Sequence, residues 1–329
     1  MTPSTPGTAD RSRWPLRVSL GLVLSVLIVV GDRALPSSHA APPTATTTLA
    51  GSSTTVPGSA TTVPTSPKVD HAIVNPGTLD QRARGCGLHV SASSTAATST
   101  TTTVRRVVGL GHCTILEIGD SLGNDLGWGL ARELRSMPGL RLIQLDKSST
   151  GLAAGWFYNW HHHLATDLRR YHPNLVIICL GANDEQAIAV NGASRAFGSA
   201  AWAGAYRARV RQLVTMATRA GSYVLWVGLP IMEPPHYRSG VNFLNLQYRE
   251  VVVRVPGATF LPTWSLLANP QGQFRAGARV NGVEAAIRAT DGIHFTVYGE
   301  DVLATFIAHQ VSSIYHVPLR LRAPMIIDR

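Results

Sequence analysis

From residue 104 onward, short apolar runs alternate with stretches in which apolar positions recur every three to four residues. The runs at 114–118, 140–145, 175–180 and 223–229, with a weaker one at Ala258–Leu261, have the length and composition of buried strands. The stretches at 124–135, 160–170, 201–220, 243–254 and 298–314 carry helical spacing. This alternation predicts βα units and a mostly parallel sheet. The expected class is α/β: a three-layer α/β/α sandwich whose five-stranded parallel sheet follows the flavodoxin-like order, with ligands gathering at the carboxyl ends of the strands.

Ahead of residue 104 the pattern changes twice. An apolar run at 18–30 follows Arg11, Arg13 and Arg17 and is closed by Gly31, Asp32 and Arg33. It is shorter than the roughly 20 apolar residues of a spanning helix and fits the roughly 7 to 15 of a signal-peptide core. Ser38, His39 and Ala40 offer small residues around a cleavage point. Adding Trp14, Pro15 and Leu16 lengthens the run towards an uncleaved anchor with its positive end in the cytoplasm. Residues 1–40 thus read as a signal peptide or a membrane anchor, and either places the rest of the chain outside the cytoplasm, secreted or membrane-tethered. Residues 41–68 are mostly Thr, Ser, Pro, Ala and Gly, with no charge before Lys68, the composition of a disordered linker. Residues 69–103 form a small unassigned segment that ends in a second Ser/Thr-rich stretch, and 104–329 is the folded domain.

Composition adjusts this picture modestly. A hydrophobic content of 45% supports a real core. Lys and Arg outnumber Asp and Glu, 29 to 19, and the net charge of +10 favours anionic envelope polymers or lipid as neighbours. The basic residues are scattered, with pairs such as Arg105–Arg106 and Arg169–Arg170 and no nucleic-acid-binding signature, so no nucleic acid is expected. Of the cysteines, Cys179 lies in an apolar run and is expected to be buried and free. That leaves Cys86 and Cys113 as a possible pair, whose connectivity sequence does not fix.

Three segments carry candidate chemistry. Gly119-Asp120-Ser121-Leu122 stands at the exit of the first strand, where a serine faces a helix N-terminus whose N–H groups favour developing negative charge. Gly181-Ala182-Asn183-Asp184 ends the strand at 175–180, where an asparagine amide is able to donate to an oxyanion. Asp291-Gly292-Ile293-His294 precedes the last helix, a spacing that lets a carboxylate reach one imidazole nitrogen and leave the other free. Taken singly, these segments also read as a helix cap, a turn and a surface loop. Their coincidence, in this order on alternating strands and helices, argues for a site.

These segments resemble blocks I, III and V of the SGNH hydrolases, also called the GDSL family, and the resemblance covers about 115–314. It implies Ser121 as nucleophile with Asp291 and His294 completing a triad. It also implies an oxyanion hole made of the Ser121 N–H, a block II glycine and Asn183. Gly151, after the second strand, fits block II, with Gly155 as the fallback. No cofactor or metal is implied. The ordinary α/β-hydrolase fold also runs Ser, acid, His, but there the acid and His come from separate loops and the serine follows several strands.

Other features carry less weight. His161, His162 and His163 point about 100° apart on a helix and do not converge on a metal. Asp184 and Glu185 suit capping or solvation better than glycosidase chemistry. Trp156, Tyr158, Trp160, Trp202 and Tyr206 read as core or as a sugar-stacking wall. Arg288 reads as a surface or structural ion pair, or as an anion holder. The expected function is a serine esterase that acts through an acyl-enzyme and removes O-acetyl groups from an extracellular or envelope carbohydrate. The alternatives are an O-acetyltransferase with the same triad and a non-catalytic wall-binding module.

Overall fold

The computed structural model describes Ile73–Val74, Leu88–Ala92 and Arg105–Leu110 as backbone, and residues 113–315, 317 and 319–328 with their side chains. The signal or anchor at 1–40, the linker at 41–68 and Cys86 lie outside the described residues. In chain order the elements are β1 (Ile73–Val74), β2 (Leu88–Ala92), β3 (Arg105–Leu110), β4 (Cys113–Gly119), α1 (Ser121–Leu134), β5 (Leu140–Gln144), α2 (Trp160–Tyr171) and β6 (Leu175–Cys179). There follow β7 (Ile188–Val190), β8 (Ala193–Arg195), α3 (Ala200–Arg219), β9 (Tyr223–Val227), α4 (Pro235–Val252), β10 (Ala258–Leu261) and α5 (Trp264–Leu267). The last are β11 (Gly277–Val280), β12 (Val283–Ala286) and α6 (Val297–Tyr315).

The main sheet runs β1-β10-β9-β6-β4-β5. Its five long strands are all parallel, and their sequence order is the flavodoxin-like one expected. The sixth strand comes from before residue 104: Ile73 and Val74 pair antiparallel with Phe260 and Thr259 at the edge. Because helices cover both faces, strands such as β6, Leu-Val-Ile-Ile-Cys, are buried at every position. Helix α1 packs on α6, while α2, α3 and α4 lie side by side. Chain order reverses between β5, β4 and β6, so a crevice opens at the carboxyl ends of β4 and β6.

Helix α4 begins eight residues before the expected start, at Pro235, because a proline at the first helical position loses no hydrogen bond. The hairpins β7–β8 and β11–β12 turn on Asn191-Gly192 and Asn281-Gly282, with positive φ at both residues of each pair. Cys179 is buried and free, as expected, and Cys113 is disulfide-bonded.

Candidate active site

The site grows out of the tight end of β4. A β-carbon on Gly119 would lie 2.5 Å from the Cys179 carbonyl oxygen and from the Gly123 Cα, so only glycine lets β4 leave β6 this closely. Asp120 then caps α1. Its Oδ1 accepts from the Leu122 N–H at 3.0 Å, and its Oδ2 accepts from Gly181 N–H at 2.8 Å and Ala182 N–H at 2.9 Å. One carboxyl thus joins the turn bearing Ser121 to the turn bearing Asn183. Burial pushes the Asp120 pKa up to about 7 against these three donors, with added repulsion from Asp184.

Ser121 is the first residue of α1, and its Oγ lies 2.8 Å from His294 Nε2. His294 Nδ1 lies 2.6 Å from Asp291 Oδ2. A carboxylate there only accepts, so the proton belongs on Nδ1 and Nε2 is left to accept from the serine hydroxyl. Asp291 Oδ1 accepts from the N–H groups of Ile293 and His294 at 2.8 and 2.9 Å. Partial burial raises the Asp291 pKa, but the hydrogen bonds from the His294 ring and these two amides outweigh it and hold it below the usual carboxylate range. The structure thus brings Ser121, His294 and Asp291 together in one hydrogen-bonded chain.

The loop carrying Asp291 and His294 is stapled from beneath by Arg288, which is 3% exposed. Its Nη1 donates to the Ile231 carbonyl at 2.7 Å, its Nη2 to the carbonyls of Ile293 and Gly292, and its Nε to that of His294 at 3.4 Å. The guanidinium also lies over the Phe295 and Phe274 rings, 4.7 and 5.4 Å from their centroids. Burial lowers its pKa to about 10, partly offset by Asp291 and Asp125. Neither sequence reading of Arg288 holds, because its hydrogen-bond partners are backbone carbonyls. Asp125, one turn beyond Ser121, accepts from the Phe295 N–H at 3.0 Å and ties α1 to the residue after His294. Its position at i+4 from the serine was the available signal, and it was missed.

Asn183 and Gly151 meet through one peptide group. Asn183 Nδ2 donates to the Thr150 carbonyl at 2.9 Å, which leaves its second amide hydrogen unspent. The N–H groups of Ser121 and Gly151 have no acceptor among the described residues. Asp184 locks the loop after β5 in place: its Oδ1 accepts from Ala153 N–H at 2.6 Å, and its Oδ2 from Leu152 N–H at 2.9 Å and the Tyr206 hydroxyl at 2.6 Å. A β-carbon on Gly151 would stand 2.1 Å from Asp184 Oδ1, so the loop closes only on glycine. Gly155, the fallback, stands exposed with nothing within 4 Å of its notional β-carbon.

The discounted features sort themselves. Trp160, Trp202 and Tyr206 are fully buried core, whereas Trp156 is 86% exposed. His161 bonds the Arg209 carbonyl and His163 stacks on Tyr158. Beneath α1, Glu117 is fully buried and lies within hydrogen-bond reach of Asp146. With both carboxyls ionised Glu117 has no donor, and one shared proton supplies it. Burial first and the neighbouring Asp146 second push the Glu117 pKa well up.

The model of a family described as "Protein of unknown function (DUF459)" matches residues 114–310, a span that includes Ser121, Gly151, Asn183, Asp291 and His294. No curated protein matches the chain. Among solved structures the chain is similar to LAE5, an alpha/beta hydrolase enzyme from the metagenome of Lake Arreo, Spain, at 15% identity and a TM-score of 0.45, covering 60% of this chain and 94% of that one. It is similar to a catalytic mutant of an acetylxylan esterase from Geobacillus stearothermophilus, at 14% identity and 0.44, covering 64% and 96%. It is also similar to a GDSL-like lipase from Bacteroides thetaiotaomicron, at 16% and 0.42, covering 62% and 89%. At these identities and TM-scores, what those proteins act on remains a property of theirs.

Proposed function

Because this chain belongs to the DUF459 family, described only as proteins of unknown function, its chemistry has to come from its own residues, and we propose that it is an SGNH-type serine esterase. The observation that carries this reading is the unbroken chain from Ser121 Oγ to His294 Nε2 at 2.8 Å and from His294 Nδ1 to Asp291 at 2.6 Å, across 173 residues of sequence. His294 takes the hydroxyl proton as Ser121 Oγ attacks an ester carbonyl, and Asp291 fixes the imidazole tautomer and stabilises the imidazolium. The oxyanion is met by the Ser121 N–H, the Gly151 N–H and the unspent amide hydrogen of Asn183. His294 then gives its proton to the leaving alcohol, leaving an acyl-Ser121 enzyme. A water, deprotonated by His294, releases the acid. The side chains of His294 and Asp291 are 37% and 45% exposed, so water reaches the imidazole directly.

The substrate class in this reading is an O-acylated carbohydrate, with acetyl as the acyl group, outside the cell or in its envelope. An arginine-flanked apolar run, an uncharged tether and a net charge of +10 support that location, with the catalytic domain secreted or held at the membrane by the N-terminal segment.

The test compares the full chain with Ser121→Ala for chromophore release from para-nitrophenyl acetate. Turnover in the first that falls to background in the second is the expected result. Equal rates in the two proteins sink the reading.

A further inference from the structure

We infer that Trp156 and Phe157 form a carbohydrate subsite beside the serine, on which a sugar ring of the acylated substrate stacks. The inference deepens the esterase reading and rests on it. Seven tryptophans occur in the chain, and Trp160, Trp202 and Trp226 are at most 1% exposed, yet Trp156 stands 86% in water and Phe157 53%. An indole in water forgoes the stabilisation that burial would give it, and Trp156 is the most exposed tryptophan among the described residues, beyond Trp128 at 59%, so presenting it gains nothing internal.

The two rings stand on an anchored protrusion. Leu152, Ala153 and Ala154 are buried on one side of Gly155–Phe157 and Trp160 on the other. Both Phe157 N–H and Tyr158 N–H donate to the Ala154 carbonyl, at 2.9 and 3.2 Å, which closes the turn. Its entry is pinned by Leu152 and Ala153 N–H groups on Asp184 and by Arg209 Nη1 on the carbonyls of the same two residues, at 2.6 and 3.0 Å. Its exit is pinned by Tyr158 stacked on His163 at 4.1 Å and by Trp160 Nε1 donating to Thr150 Oγ at 3.1 Å. The base of the protrusion belongs to the site: Thr150 accepts from Asn183, and Lys147 N–H donates to the carbonyl of Gly119, two residues before Ser121.

The geometry suits a sugar rather than an acyl chain. Trp156 and Phe157 meet edge to face, 6.0 Å between centroids at 62°, so the indole faces are not stacked on the neighbouring ring. A broad, open aromatic face matches the C–H face of a pyranose, whereas an alkyl chain asks for an enclosed apolar channel. The preceding Gly155 has nothing within 4 Å of its notional β-carbon, so no packing demands glycine there.

The experiment uses the full chain. Acetate release is measured from chemically O-acetylated chitohexaose and xylohexaose and compared with para-nitrophenyl acetate, for wild type, Trp156→Ala, Trp156→Phe and Phe157→Ala. In a second arm, calorimetry follows both hexamers binding to Ser121→Ala with and without Trp156→Ala. On at least one hexamer we expect the ratio of kcat/KM to that on para-nitrophenyl acetate to fall about tenfold in Trp156→Ala, mainly through KM, less in Phe157→Ala, and to recover partly in Trp156→Phe. Binding to Ser121→Ala should weaken by a similar factor. A ratio unmoved by Trp156→Ala, or binding indifferent to it, overturns the subsite. So does a Trp156→Ala variant that loses instead its co-sedimentation with phosphatidylglycerol vesicles, which would make the protrusion a lipid contact. If wild type fails on every ester while Trp156-dependent hexamer binding persists, the esterase reading fails and the subsite stands.

Discussion

Arg288 Nη1 donates to the carbonyl oxygen of Ile231 at 2.7 Å, across 57 residues of sequence, and the same guanidinium holds the carbonyls of Gly292, Ile293 and His294. The loop bearing Asp291 and His294 is therefore held to the segment after β9 by one buried cation. Hydrogen bonds to a charged group contribute about 1.5–3 kcal/mol each, and their loss leaves the Ile231 and Ile293 carbonyls without the donor they have, whereas Gly292 and His294 keep backbone N–H groups from Glu233 and Ala289. Arg288→Ala should lower the thermal midpoint by several degrees and kcat by at least tenfold. Lysine lacks the planar fork needed to span these carbonyls, so Arg288→Lys should recover only part of this. Added guanidinium should raise kcat in Arg288→Ala. Thermal melts and ester turnover check it, and an unaltered midpoint with unaltered kcat counts against the staple.

Gly151→Ala drives a methyl into Asp184, where the gap is 2.1 Å. The loop must move, and its N–H moves with it. Losing one oxyanion donor costs about 10²–10³ in kcat. The expected variant folds, with KM for a small ester changed far less than kcat. Steady-state kinetics decide, and a kcat within twofold of wild type would remove Gly151 from the hole.

Asp291→Asn should cost on the order of 10⁴ in kcat, because an amide facing Nδ1 favours the tautomer whose Nε2 proton points at the serine. The pH dependence has a definite sign. Asp291 titrates below its ordinary range in the fold, so its contribution to stability is present above the ordinary carboxylate pKa and fades as pH falls through the depressed value. Turnover on the acid side should therefore be limited by a group other than Asp291, which a pH–rate profile reads directly.

The acids at the start of α1 and the one beneath it have the opposite sign. Burial raises the pKa of Glu117, of Asp120 to about 7, and of Asp125 to about 6. From about pH 4 upward the unfolded chain has lost protons that the folded chain still holds, so stability falls as pH rises, through about 6 for Asp125 and about 7 for Asp120. A tenfold difference in a protonation equilibrium is worth about 1.4 kcal/mol. Glu117→Gln supplies a neutral donor to Asp146 at every pH, and it should raise the thermal midpoint at pH 8 while leaving the value at pH 5 nearly the same. A variant less stable than wild type at pH 8 would contradict the shared proton.

The sheet and its helices were legible because buried parallel strands read as uninterrupted apolar runs, as in Leu-Val-Ile-Ile-Cys of β6. The hydrogen-bonded Ser121, Asp291 and His294 were legible because local turns present them, and turn chemistry is written in neighbouring residues. The hairpins turning on Asn191-Gly192 and Asn281-Gly282 were missed: each pair is a turn signal, but the flanking strands of three or four residues carry too little periodicity to mark them. The work of Arg288 and Glu117 was not legible. One bonds backbone carbonyls, which every residue has, and the other meets Asp146 only because β4 and β5 are neighbours. Of the aromatic wall, only Trp156 escaped the core, since periodicity does not tell a loop tip from a helix start.

A β-carbon on Gly129 would meet the Glu300 carbonyl at 2.5 Å, and Arg132 joins Glu300 and Asp301 at 2.6 and 2.7 Å. Helix α1 starts with Ser121, and α6 starts three residues after His294. The hydroxyl therefore starts one of two rods bolted flank to flank, and the imidazole stands on the short loop that leads into the other, so the packing of the rods brings the two together. Hydroxyl and imidazole already meet in this packing, so in the proposed reaction no movement among the described residues is needed to bring the serine to its base.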